Sequence, residues 1–138
     1  MNGYLGAIAT GEMAAKGRVS RRGSLNEAIA DAVVRSHTRC VGRGPRRALA
    51  FYRGNVVVVV LQGTLTKGEL SLAADGRHDA VLRIRRQFRD LMRSELVEAV
   101  EGLTGCGVLA LVADNSIEPD LGVQLFVLDR SVDGPGPA

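Results

Sequence analysis

Tryptophan is absent from this 138-residue chain, all aromatic residues together make up 4%, and there are only two cysteines, two histidines and four prolines. Each scarcity excludes something. So few aromatics leave few platforms on which single-stranded bases could stack. Cys40 and Cys106 could pair in principle, but a chain of this length can bury a core without staples, and free packed thiols in a reducing compartment are expected, with no disulfide. Long apolar runs are missing too. The longest candidate, Val56 to Leu61, falls far short of the roughly 20 residues that a membrane-crossing helix needs. Residues 1–15 lack the basic start, continuous apolar run and small-residue cleavage site of a secretory signal, so the expected location is cytoplasmic.

What is present is ordinary globular composition, 46% hydrophobic and 24% charged, which calls for one domain built around a core. The charges are unevenly placed. Ten basic residues from Lys16 to Arg53 face only Glu27 and Asp31, whereas the C-terminal part carries Asp114, Glu118, Asp120, Asp129 and Asp133 against Arg130. Such asymmetry fits an acidic partner, a head-to-tail contact between copies, or solubility alone.

Along the chain, residues 1–23 read as a flexible basic arm, 24–130 as a single α+β domain, and 131–138 as a disordered tail. Ser24 and Glu27 form a capping box ahead of the apolar stripe Leu25, Ala28, Ile29, Ala32, Val33, Cys40, which predicts a first helix from Ser24 to about Val41. Gly42-Arg43-Gly44-Pro45 stops it. Ala48–Tyr52 and Val56–Leu61 around Arg53-Gly54-Asn55 predict a hairpin. A second capping box, Thr66 with Glu69, opens a short helix broken at Asp75-Gly76. The stripe Val81, Ile84, Phe88, Leu91, Met92, Leu96, Ala99, Val100, Leu103 predicts a long helix from Asp79. Val108–Ala113 and Val123–Leu128, flanking a polar turn with Asn115 and Pro119, predict a second hairpin. The expected order is α-β-β-α-α-β-β, with a helix, a glycine stop and a hairpin in each half, the pattern of a degenerate internal repeat. Two strands apolar at nearly every position imply that both sheet faces are buried, and helices covering only one of them would leave the other for a partner or a second copy; a homodimer is expected.

No constellation for catalysis, metal or nucleotide emerges. Gly42 to Pro45 leaves a helix C-terminus, where the dipole is negative, so it is a poor phosphate loop and reads first as a helix stop. His37, Cys40, His78 and Cys106 lack the two close ligand pairs of a structural zinc site, leaving a packed cysteine and a half-exposed histidine as the favoured reading. Arg83, Arg85, Arg86, Arg89 and Arg93 could follow a phosphate backbone, but interleaved Asp79, Asp90, Glu95, Glu98 and Glu101 favour a solvated face laced with ion pairs. Asp114, Asn115, Glu118 and Asp120 gather oxygen ligands in one turn without the glycine and terminal glutamate of a calcium loop. No cofactor or metal is expected.

Taken together, Val41-Gly42-Arg43-Gly44-Pro45, Leu65-Thr66-Lys67-Gly68-Glu69, and Ala113-Asp114-Asn115 followed by Pro119-Asp120 and Val123–Leu128 resemble a small bacterial family. It was long carried as a domain of unknown function and is now labelled after a sodium-translocating, membrane-potential-generating system. The resemblance covers about Ser24 to Leu128. It implies a non-catalytic accessory or regulatory binding domain of a membrane system for cation or inorganic-carbon transport, peripheral to the inner membrane through a protein partner. The expected partner-binding residues are Arg43, Arg46, Arg47, Asp114, Asn115 and Asp120. A nucleic-acid-binding protein using the basic arm and the arginine-rich helix is the alternative.

Overall fold

The computed structural model of the chain describes residues 16–134. Helix α1 (Lys16–Val41) runs through Ser24 and Glu27 instead of starting there. The reason is a long-range contact. The Arg22 guanidinium lies 4.5 Å from the centre of the Tyr52 ring, reaches the Tyr52 carbonyl at 3.4 Å and pairs with Asp133. That anchor holds an N-terminal extension that local capping signals cannot foresee. Of the arm expected over residues 1–23, residues 16–23 thus lie in α1, and residues 1–15 lie outside the described residues. The other end matches the glycine signal: Gly42 adopts φ +96° and donates its N–H to Thr38 O at 2.9 Å.

Strands β1 (Arg47–Arg53) and β2 (Val56–Gln62) form the first hairpin. Helix α2 (Lys67–Ala74) opens on the Thr66–Glu69 capping box, with both reciprocal bonds made. Helix α3 (His78–Thr104) follows, ending on Gly105 in the left-handed region at φ +72°. Strands β3 (Val108–Ser116) and β4 (Leu121–Leu128) make the second hairpin. The order is the expected α-β-β-α-α-β-β, an α+β domain. The antiparallel sheet runs β1-β2-β4-β3, so each hairpin contributes one inner and one edge strand. With β2 and β4 antiparallel at the centre, a two-fold axis normal to the sheet would bring one hairpin onto the other.

Helices α1 and α3 pack against each other and against one face only, α1 over β1 and α3 over β3. Ile29, Val33, Met92, Leu96 and Val100 meet Val57, Val59, Leu61, Phe126 and Leu128 there. Side chains alternate across a pleated strand, so the register assigns the opposite face row by row. One row is Leu49, Val60, Val123, Asp114, and the next is Phe51, Val58, Leu125, Val112. The apolar members of both rows keep solvent exposure, reaching 62% at Val112. Within this chain only one face is buried, which is the expected case of helices covering one face and leaving the other open. One face is a core, and the other is a surface apolar along its middle rows with no described element across it.

The stripe of the long helix also needs correction, because Ile84, Leu91 and Leu103 are exposed while Arg85 is buried among Val81, Met92, Leu96 and Val100. Val81, Arg85, Phe88 and Met92 recur at helical spacing, so the arginine occupies an inward position. Nor is the tail free over its described part. Val132 packs on the core and donates its N–H to Gly54 O at 2.9 Å, while Asp133 accepts from Tyr52 Oη at 2.9 Å. Burial, then the Asp133 carboxylate, push the Tyr52 phenol above its ordinary 10.0. Tyr52→Phe should therefore release this segment, lowering stability by about 1 kcal/mol in urea unfolding and accelerating hydrogen exchange at the Val132 amide.

Candidate functional site

Three loops meet at the end of the sheet where β2 finishes and β1 and β4 begin. They are the α1–β1 loop with Gly42 to Arg46, the β2–α2 loop with Gly63 to Thr66, and the β3–β4 loop with Ile117 to Asp120. The chain can leave β2 only because residue 63 is glycine: it sits at φ +67°, and a Cβ there would collide with the Arg46 side chain. Arg46 in turn donates its backbone N–H to Gln62 O at 2.8 Å.

Asp120 closes the arrangement from the far loop. Its Oδ1 accepts from both the N–H and the hydroxyl of Thr64 at 2.9 Å, and its Oδ2 accepts from the Leu65 N–H at 3.0 Å. Arg43 approaches from the near loop and donates to the Leu65 carbonyl at 3.0 Å. Beneath these contacts lies the Arg85 guanidinium, only 3% exposed. It donates to Glu69 Oε2 at 2.7 Å, Glu69 Oε1 at 2.5 Å and the Thr64 carbonyl at 2.6 Å, and meets His37 Nε2 at 3.0 Å. A permanently charged guanidinium has only donors, so Nε2 accepts, and the imidazole must carry its proton on Nδ1, which faces the Arg43 carbonyl at 3.0 Å. Both ring nitrogens are thereby engaged. Glu69 also accepts the Thr66 N–H at 2.8 Å, so one carboxylate both caps α2 and neutralises Arg85.

This polar knot has no exposed reacting group and leaves no ring nitrogen free for a metal. Among the described residues no group of three His, Cys, Asp or Glu side chains is placed to hold an ion. The histidine expected to be half-exposed is 2% exposed, because Ile29, Val33 and His37 follow one another on the buried face of α1. The turn with Asp114, Asn115, Glu118 and Asp120 is a hairpin connection between β3 and β4, and its oxygen-bearing side chains diverge. Strand β3 continues through Ser116, leaving the Asp114 side chain 86% exposed on the edge strand, while Asn115 accepts from Arg89 and Asp120 turns inward. Of the six expected partner-binding residues, Asp120 bonds to Thr64 and Leu65 and Asn115 bonds to Arg89 of α3. Arg43, Arg46 and Arg47 present exposed side chains around the knot, joined by Lys67.

The arginine run of α3 is divided in the same way. Arg85 is internal, Arg89 is held by Asn115, and Arg93 donates to the Leu111 carbonyl at 2.8 Å. A cleft of about 440 Å³ opens beside these last two against edge strand β3, where Asp90 and Asp114 offset much of the positive charge. Sequence reasoning passed over Arg85, His37 and Thr64 as site residues. The available signal was that Arg85 and His37 each occupy an inward position of an apolar stripe, where a polar residue must find partners.

Burial, then the Arg85 charge, hold the His37 imidazole below its ordinary 6.5. Burial alone would raise the Glu69 carboxyl, but its bonds from Arg85, reinforced by Thr66, outweigh that and hold it below 4.5. In both cases the unfolded chain takes up the proton at a higher pH than the folded one, so stability rises with pH through each window. Unfolding free energy should therefore be lost first as pH falls through 6.5 and again as it falls through 4.5, and His37→Gln should flatten only the first decline. Removing one partner of a buried ion pair leaves an uncompensated charge. Arg85→Met should accordingly cost about 3–5 kcal/mol in urea unfolding, with Glu69→Gln added to it recovering at least about 1 kcal/mol.

The Bacillus subtilis (strain 168) protein named "Uncharacterized protein YrhF" is 31% identical over 94 residues, which is 67% of this chain and 77% of that protein. No solved structure matches the chain. A family model described as "Na+-translocating membrane potential-generating system (MpsC)" matches residues 21–130, from the anchor at Arg22 to the end of β4. The chain belongs to the MpsC family.

Proposed function

We propose that this chain is a non-catalytic accessory subunit that works as a homodimer in the cytoplasm. It docks through the cationic rim around the Arg85 knot on the cytoplasmic face of a membrane protein for cation or inorganic-carbon transport. The observation that carries the reading is the fixed display of charge. Arg43, Arg46 and Lys67 project from backbone that Arg85, Asp120 and Gly63 immobilise, so little ordering entropy is lost when an acidic partner segment binds.

Two further points support it. The family is named for a sodium-translocating, membrane-potential-generating system. No helix among the described residues is long and apolar enough to cross a membrane, so a role in such a system through this domain runs through a partner. The interior explains why the reading is non-catalytic: the titratable groups brought together are saturated by one another and shielded from solvent, which suits architecture better than proton transfer.

Affinity purification of the full chain from native cells, after nuclease treatment and gentle membrane solubilisation, tests the reading. A polytopic transport protein should accompany the wild type and be lost from the Arg43→Glu/Arg46→Glu variant, whose folding is verified by circular dichroism. Recovery of nucleic acid instead, or retention of the transport protein by the variant, defeats it.

A further inference from the structure

The sheet face turned away from α1 and α3 is apolar along its middle rows, with arginines at the ends of β1 and an aspartate near the end of β3. In the two central rows Leu49, Val60 and Val123, then Phe51, Val58 and Leu125, lie side by side. Arg47 and Arg53 flank them on β1, both exposed, and Asp114 flanks them on β3, its side chain 86% exposed although one carboxylate oxygen also lies 4.0 Å from Arg89 of α3. A contiguous apolar patch of this extent is often a functional surface. Four strands about 4.8 Å apart and about 20 Å long give roughly 400 Å² in projection, so stacking two copies removes at least about 800 Å² from water before the charged rims are added. That lies below the range of stable interfaces, among weak and transient ones, and implies reversible dimers.

We propose that this face is the self-association surface, and that two copies stack sheet on sheet about a two-fold axis parallel to the strands. The proposal rests on the homodimer part of the functional reading and adds to it the surface and the symmetry. Aligned packing of two sheets puts their faces about 10 Å apart with strands roughly parallel, close enough for a rim arginine to reach a rim aspartate. Only two orientations of a two-fold axis in the interface plane keep the strands aligned.

An axis across the strands lays β1 on β1, bringing Arg47 against Arg53 of the other copy, a like-charge contact. An axis along the strands lays β1 on β3. Arg47 pairs across β2 and β4 with Ser116, and the adjacent row ends in Asp114. The basic corner of each copy therefore meets the acidic corner of the other, twice per dimer. Charge thus selects between two arrangements that apolar contact alone leaves equivalent. The bulge between Val108 and Ala110 twists the β3 edge, which disfavours growth through that edge. The cationic rim of Arg43, Arg46 and Lys67 lies at the strand ends and stays outside the stacked faces, so docking and dimerisation use different side chains.

Sedimentation velocity on the full chain, from micromolar to near-millimolar concentration, tests the geometry. The wild type should pass from monomer to dimer as concentration rises, and Val58→Lys should remain monomeric. Arg47→Asp and Asp114→Arg, both at exposed positions, should each raise the dimer Kd by about 10-fold or more, and the double variant should return it to near the wild-type value. A wild type that stays monomeric throughout overturns the dimer and the surface together. A wild-type dimer undisturbed by Val58→Lys overturns the surface while leaving the homodimer reading intact. Tighter association by Arg47→Asp overturns the axis, since that is the result expected if Arg47 faces Arg53.

Discussion

A guanidinium that cannot lose its charge is held in the interior, and most of the organisation at one end of this fold follows from its need for acceptors. Taking Arg85 out of water costs several kcal/mol unless its donors are met. Glu69, the Thr64 carbonyl and His37 meet them. Each of these belongs to a different part of the chain: the first turn of α2, the loop leaving β2, and the last third of α1. Satisfying one side chain therefore fixes three segments relative to α3. Asp120 and Arg43 add restraints from the loops on either side, and Gly63 supplies the one backbone turn that lets β2 enter the cluster without striking Arg46.

The functional consequence comes from what this knot leaves outside. With Glu69, His37 and Asp120 committed inward, the exposed ionic groups at that end are mainly cationic, and their backbone is held rigid. The proposed recognition of an acidic surface rests on this charged rim and its fixed scaffold, while the buried groups are paired with one another. Membership in a family named for a sodium-translocating system gives that surface a membrane context.

Two layers, not three, determine the rest. Helices α1 and α3 cover one side of the sheet, and the chain has no described element for the other. β2 is the telling strand: Val57, Val59 and Leu61 are in the core, while Val56, Val58 and Val60 form a second aliphatic stripe facing outward. An unbroken valine run reads as a strand buried on both faces. Within one chain it is buried on one face only, and the proposed dimer is what would account for the remainder of the signal.

Local chemistry by itself determined the element order and several ends. Glycine stops at Gly42 and Gly105, the Thr66–Glu69 capping box and the Asp75-Gly76 break act over a few residues, so they can be read without knowing what lies across space. The same locality explains the failures. A capping box at Ser24 did not start a helix, because Arg22 finds Tyr52 and Asp133, distant in sequence, and α1 continues through it. Arg85 looked like one more cation on a solvated face, and Asp120 like a ligand in an acidic turn. Only the tertiary structure decided that the first meets His37 48 positions away and the second meets Thr64 56 positions away. Whether a charged residue faces water or a partner depends on such pairings, and these exist only once the sheet has brought its loops together.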